Sequence, residues 1–196
     1  MWKLKSQRRA LPATALVIVA TAALIVAGCG SGNENGATGT GKSPAASGQS
    51  STDVAFVQGM IPHHEQAVEM AELALAPKAK AGPKVKELAA RIKNAQGPEI
   101  NLMRGWLSQW GEAEMAGGHG MSGMMTQQDF SSLSQADGDQ FDGMWLNMMI
   151  AHHDGAVEMA QSVKAQGSNP DVTSLADRII SSQKAEIAEM KNLLAR

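Results

Sequence analysis

The chain contains one twelve-residue segment twice, and this repeat constrains its fold more than any other feature. Residues 60–71 read MIPHHEQAVEMA, and residues 149–160 read MIAHHDGAVEMA. A match of this length indicates an internal duplication, in which two related units bury a face against each other. Both copies keep methionine, histidine and glutamate, which are residue types that bind metal ions. We therefore predict two related helical units built around metal sites.

Apolar residues in and around both segments recur at spacings of three and four, which predicts amphipathic α-helices. Thr52 or Asp53 should cap the first helix, and Gly97–Pro98 should kink the second near residues 94–97. Four such helices predict an all-α fold, a four-helix bundle made of two duplicated helical hairpins. We place the helices at 53–75, 84–110, 142–164 and 172–194.

The N-terminal segment has the features of a bacterial lipoprotein signal peptide. Four cations precede an apolar run from Ala13 to Ala27, and small residues lead to Cys29, the only cysteine. We predict that residues 1–28 are removed and that lipidated Cys29 attaches the protein to the outer face of the cell membrane. A single transmembrane anchor is the alternative. Residues 29–52 are rich in Gly, Ser, Thr and Ala, which predicts a flexible tether to a domain at 53–196.

The predicted mature chain is acidic. Without residues 1–28 it keeps 13 Lys and Arg against 19 Asp and Glu, a formal charge of −6. This balance argues against a nucleic-acid partner and is compatible with attracting cations.

In each repeat a methionine precedes a histidine pair by three and four residues, which makes these residues neighbours on a helix surface. On the helix that follows, a glutamate and a methionine are again four residues apart. Imidazole and thioether without thiolate favour copper, with Cu(I) preferred and Cu(II) compatible with the carboxylates. The alternative is that the histidines are core residues with hydrogen-bond partners. The candidate ligands are Met60, His63, His64, Glu99, Met103, Met149, His152, His153, Glu186 and Met190.

A Gly-, Ser- and Met-rich link at about 111–136 joins the hairpins, and we predict that it is mobile. Apolar, oxidisable methionines suit an exposed low-complexity linker poorly, which favours binding of a soft metal. The second candidate set, in which Met and His are spaced by glycines, is Met115, His119, Met121, Met124 and Met125.

The HHxxAVEMA segment of each half, with QxxEIxxM in the helix that follows, resembles the domain-of-unknown-function 305 family over about residues 53–196. The resemblance implies a ferritin-like four-helix bundle that is exported and, in some members, associated with copper binding and copper tolerance. Its motif positions coincide with the candidate helix ligands. Gly97–Pro98 stands where the second repeat has Lys184–Ala185, so the two sites should differ in geometry and affinity.

These features favour an extracytoplasmic copper chaperone or buffer that contributes to copper tolerance, with a copper exporter or another copper protein as its partner. An enzyme is the less favoured class. A ferritin-like dinuclear metal oxidase would use Glu-x-x-His motifs, and the sequence contains none. The third alternative is a structural or interaction module without metal.

Overall fold

The computed structural model describes residues 48–115 and 121–196. Within these ranges the chain has no strand, and the predicted all-α bundle is confirmed. In the same part of the chain, no helix combines the length and the apolarity needed to cross a membrane. The structure has a 3-10 turn at Pro77–Ala79 and five α-helices: α1 (Ser51–Leu75), α2 (Pro83–Trp110), α3 (Gln127–Gln135), α4 (Gly138–Gln166) and α5 (Pro170–Leu194).

The start of α1 is fixed by a reciprocal pair of hydrogen bonds. The Ser50 hydroxyl accepts from the backbone N–H of Asp53, and the Asp53 carboxylate accepts from the backbone N–H of Ser50. This capping box satisfies two N–H groups that a helix start leaves free. The prediction of Thr52 or Asp53 as the cap was wrong, because Asp53 is the third helical residue and serves Ser50.

The predicted link contains a helix that the sequence analysis missed. Thr126 and Asp129 form a second capping box at the start of α3, and Leu133 is the one side chain of α3 that is buried. Nine residues with one buried position show too little periodicity to predict a helix. The mobility of the link stays a prediction.

Two prolines lie inside helices of the first hairpin, Pro62 in α1 and Pro98 in α2. Each lacks the N–H that an interior helical residue donates, yet both helices continue through the proline. The second hairpin has Ala151 and Ala185 at the matching positions. The kink at residues 94–97 stays a prediction.

The four long helices pack as antiparallel neighbours and share two apolar cores. Helix α1 contacts α2 and α4, and α4 contacts α5. Residues 56–61 of α1 lie in one core with residues 156–163 of α4, and residues 67–74 lie in the other core with residues 141–149. Helices α2 and α5 divide in the same way. The stretch of each helix between its two cores carries the repeated polar motif, so the bundle has a polar layer at its centre.

Each hairpin holds the turn of the other through an aspartate. The carboxylate of Asp53 accepts hydrogen bonds of 3.1–3.2 Å from the backbone N–H groups of Ser168 and Asn169, in the turn between α4 and α5. Asp142 stands at the matching position of α4 and accepts from the N–H of Gly82, in the turn between α1 and α2, at 3.0 and 3.1 Å. We call these contacts the aspartate latches. They set the hairpins in register and so align the polar layer.

Candidate metal centre

The polar layer is buried on all four long helices. Burial of polar groups is costly unless they find partners, so the contacts of this layer decide what it can do. Its six buried polar side chains, each at most 3% exposed, are His63, His64, Gln96, His152, His153 and Gln183.

In each repeat the second histidine is bound to the glutamate predicted with it. His64 Nε2 lies 2.9 Å from Glu99 Oε2, and His153 Nε2 lies 2.7 Å from Glu186 Oε2. An ionised carboxylate only accepts, so each imidazole donates through Nε2–H, and in the neutral ring the lone pair is then on Nδ1. Among the described residues, neither Nδ1 has a hydrogen-bond partner. Metal-binding histidines are commonly held in this way, with a carboxylate on the nitrogen that faces away from the ion.

The first histidines of the two repeats contact each other between α1 and α4. The ring centroids of His63 and His152 are 3.8 Å apart, and the rings are tilted by 38°. Burial, aided by His64, lowers the pKa of His63 from 6.5 to about 3. Burial and the neighbouring histidines also hold the pKa of His152 well below 6.5. Both imidazoles are therefore neutral at neutral pH, which is the form that binds metal ions.

The partners of these two rings are few. His63 Nε2 lies 3.3 Å from the backbone oxygen of Ser122, in the link. His63 Nδ1 and both ring nitrogens of His152 have no hydrogen-bond partner within the described part of the chain. The layer therefore presents neutral imidazole nitrogens from both repeats that are not used in the fold.

The four helix methionines predicted as ligands are fully buried. Met60 and Met103 lie in one core, and Met149 and Met190 lie in the other. Each core thus contains the two candidate thioether ligands of one repeat. A buried thioether can pack or bind a soft metal, and the ligand role of these methionines stays a prediction.

Residues 121–125 of the link lie across α1 and α4 beside the histidine contact. Gln66 Nε2 donates to the backbone oxygen of Met125 at 3.0 Å, and the Met125 N–H donates to Gln66 Oε1 at 2.7 Å. The Ser122 hydroxyl donates to Glu158 at 2.7 Å. Of the second candidate set, Met115 is exposed, and Met121, Met124 and Met125 are half-buried. Two predicted residues, His119 and Cys29, lie outside the described residues.

Two glutamines belong to the layer, although the sequence analysis did not count them as site residues. Gln96 and Gln183 occupy matching positions, one turn before Glu99 and Glu186. Both amide atoms of Gln96 and Oε1 of Gln183 lack a hydrogen-bond partner among the described residues. A polar residue repeated inside an apolar stripe is the sequence feature that could have identified them.

The donors of the layer fit copper better than a hard metal. In residues 48–115 and 121–196, no three His, Cys, Asp or Glu side chains converge into a group that could hold an ion. The layer instead combines neutral imidazole nitrogens with carboxylates at its edge and buried thioethers in the adjoining cores. Thioethers favour Cu(I), and imidazole suits copper in both oxidation states.

Known proteins share both the sequence and the fold. The family model described as "Domain of unknown function (DUF305)" matches residues 53–194. A DUF305 protein from Streptomyces coelicolor is 32% identical with a TM-score of 0.69, and the match covers 74% of this chain and 93% of that one. No curated protein sequence matches this chain.

Two copper-bound structures of CopM are similar to this chain. The Cu(II)-bound form of CopM is 38% identical with a TM-score of 0.63, covering 73% of this chain and 95% of CopM. The Cu(I)-bound form is 36% identical with a TM-score of 0.62, covering 72% and 94%.

Proposed function

Because this chain belongs to the DUF305 family, we propose that it is a membrane-tethered, extracytoplasmic copper-binding protein that buffers copper or hands it on. CopM, a relative with the same fold, has been crystallised with Cu(I) and with Cu(II). One observation carries the proposal for this chain. Its buried layer presents neutral imidazole nitrogens that have no hydrogen-bond partner among the described residues, flanked in both repeats by a histidine held on a carboxylate.

In this proposal, His64 and His153 bind copper through Nδ1. Glu99 and Glu186 keep the proton on Nε2 and fix the direction of each ring. We had predicted these glutamates as ligands; their hydrogen bonds favour an orienting role, with the carboxylates still close enough to serve Cu(II). The methionine four residues before each histidine lies on the same helix face and is the nearest thioether in sequence.

The pair of His63 and His152 gives the two halves a shared donor set. Their rings contact across α1 and α4, so one copper ion could be bound by nitrogens of both repeats. Because the imidazoles are neutral at neutral pH, copper does not compete with protons for them. These two imidazoles therefore need no deprotonation before they bind copper.

The remaining parts of the proposal rest on the sequence. Lipidated Cys29 would tether the domain to the outer face of the cell membrane, and the acidic mature chain would attract cations. An exporter or another copper protein would receive the ion. Replacement of Cys29 by Ser should move the expressed protein from the membrane fraction to the medium or the soluble fraction, and retention in the membrane would contradict the tether.

The test of copper binding is a competition titration of the full chain against a colorimetric Cu(I) chelator. The double variant His64→Ala and His153→Ala should lose tight binding. Glu99→Gln with Glu186→Gln should weaken it by about 10- to 100-fold, because the orienting carboxylate is removed while the ring is kept. Glu87→Gln is the matched control, since Glu87 lies on α2 but pairs with Lys84 at the surface.

A histidine variant that keeps wild-type copper affinity and the wild-type melting temperature would contradict the proposed site. The oxidase alternative predicts turnover of iron or manganese with oxygen instead. No observation favours that alternative, because the described residues contain no group of three or more His, Cys, Asp or Glu side chains that could hold a metal ion.

A further inference from the structure

A groove at the surface, apart from the polar layer, is lined by three methionines. It has a volume of about 290 Å³ and lies between the start of α1, the end of α4 and the link. Met115, Met121 and Met159 line it, and none of the described residues around it carries a charge. We call it the thioether groove. None of the ten candidate helix ligands lines it, so it is a separate place in the fold.

Met115 is brought to the groove by contacts at the start of the link. Gln58 Nε2 donates to the backbone oxygen of Ala113 at 2.7 Å. Arg104 Nε donates to both carboxylate oxygens of Glu114 at 3.1 Å, and the same guanidinium binds Glu65. These contacts tie the residues before Met115 to α1 and α2, while its side chain stays 47% exposed.

Met121 reaches the groove from the middle of the link, where two glycines let the chain approach the helices. A Cβ on Gly59 would lie 3.1 Å from Met121 Sδ, so the thioether rests against the bare backbone of α1. A Cβ on Gly155 would collide with the backbone oxygen of Ser122. The backbone of α1 and α4 is therefore shaped to receive this part of the link.

Met159 differs from its repeat counterpart in burial. Met70 is fully buried in a core, whereas Met159 is half-buried: it packs against the edge of the other core and also lines the groove. The second copy of the methionine is therefore only partly used in core packing. A thioether that is kept at an accessible position is available as a ligand.

We propose that the thioether groove binds one soft monovalent ion, Cu(I) or Ag(I), through Met115, Met121 and Met159. Thioether donors favour such ions, and the absence of a carboxylate around the groove in the described residues disfavours Ca²⁺, Mg²⁺ and Zn²⁺. The groove is open to solvent, so its ion exchanges readily. This site does not depend on copper binding in the polar layer.

The test is a titration of the full chain, labelled with ¹³C at the methionine methyl groups, with Ag(I) as a soft and diamagnetic probe. The methyl resonances of the three groove methionines should shift together, and Zn(II) should not shift them. Met159→Leu should abolish the joint shift and remove about one equivalent of bound Ag(I), since leucine keeps the volume and loses the thioether.

Met70→Leu is the matched control, because it makes the same change at the repeat counterpart in the core. It should leave the joint shift intact. The same titration of the His64→Ala and His153→Ala variant separates this site from the polar layer, and the groove response should persist there. The inference is overturned if the groove methyls stay still while Ag(I) binds, if Met159→Leu keeps every equivalent, or if the response disappears with the histidines.

Discussion

The two hairpins carry the same donors in the same contacts. The histidine–glutamate distance is 2.9 Å between His64 and Glu99 in the first and 2.7 Å between His153 and Glu186 in the second. They differ in what surrounds these donors. The first hairpin has a helix-interior proline directly before His63 and another directly before Glu99, and the second has alanines there.

The link accounts for most of the other differences. It crosses both hairpins, but Gln66 of the first binds its backbone through a side chain, whereas Gly155 at the matching position of the second lets its backbone approach. Met70 and Met159 stand at matching positions of the repeats, but Met70 is buried and Met159 is half-buried. The comparison teaches that the duplicated residues preserve the polar layer and the latches, while one face of the bundle has adapted to the link.

The largest expected effect comes from breaking the latches one at a time. Asp53 accepts hydrogen bonds from both Ser50 and the turn at Ser168 and Asn169, whereas Asp142 accepts, within the described part of the chain, from Gly82 alone. Asp53→Ala should therefore lower the free energy of unfolding by about 3 kcal/mol and Asp142→Ala by about 1.5 kcal/mol, since hydrogen bonds to charged groups contribute on the order of 1.5–3 kcal/mol and Asp53 accepts from more donors. Urea unfolding measures both. Equal losses would show that the extra partners of Asp53 add no stability.

Replacement of Gly155 by Ala tests the contact between the link and the second hairpin. The added Cβ would collide with the backbone of Ser122, so we expect a loss of about 2 kcal/mol in the free energy of unfolding. Gly97→Ala is the control, because nothing lies within 4 Å of the new Cβ and the helix gains stability from alanine. If both variants gain stability, the link does not press on α4 in solution.

The pH dependence of stability tests the latch at Asp53. Burial acts to raise the pKa of Asp53, but the hydrogen bonds from Ser50 and Ser168 outweigh it and hold the pKa below 3.8. A lowered pKa in the folded state means that the ionised carboxylate stabilises the fold above pH 3.8, and that this stabilisation is lost as the pH falls through the folded pKa. Melting temperatures below pH 5 should fall less steeply for Asp53→Asn than for the wild type. If the melting temperature falls equally steeply with pH in the two proteins, Asp53 is not the cause of the acid sensitivity.

Much of the fold could be predicted because each long helix has apolar residues at spacings of three and four in its own sequence. The repeated motifs grouped Glu99 with His64 and Glu186 with His153, and both pairs are in contact in the structure. The contact between His63 and His152 could not be predicted in this way. It depends on how one hairpin packs on the other, which the latches and the two cores decide together.

The other misses have local causes. Helix α3 buries too little to show a period, and Ser50 was passed over as a cap because it lies at the end of a Ser-rich tether. The docking of residues 121–125 depends on Gln66 and Gly155, which a comparison of the repeats marks only as a mismatch. The half-buried position of Met159 depends on what packs over that face of α4, so it could not be read from the helical stripe alone.

The smallest expected effect concerns the two prolines, which distinguish the candidate sites most directly. In a His153→Ala background only the first site keeps its carboxylate-bound histidine, and in a His64→Ala background only the second does. We expect the Cu(I) affinities of these backgrounds to differ by less than about tenfold, or about 1.4 kcal/mol. Pro62→Ala with Pro98→Ala should reduce the difference, because each alanine restores the backbone donor beside a site residue. If the difference persists, the prolines are not its source, and the unequal contacts of the link at Gln66 and Gly155 become the cause to test.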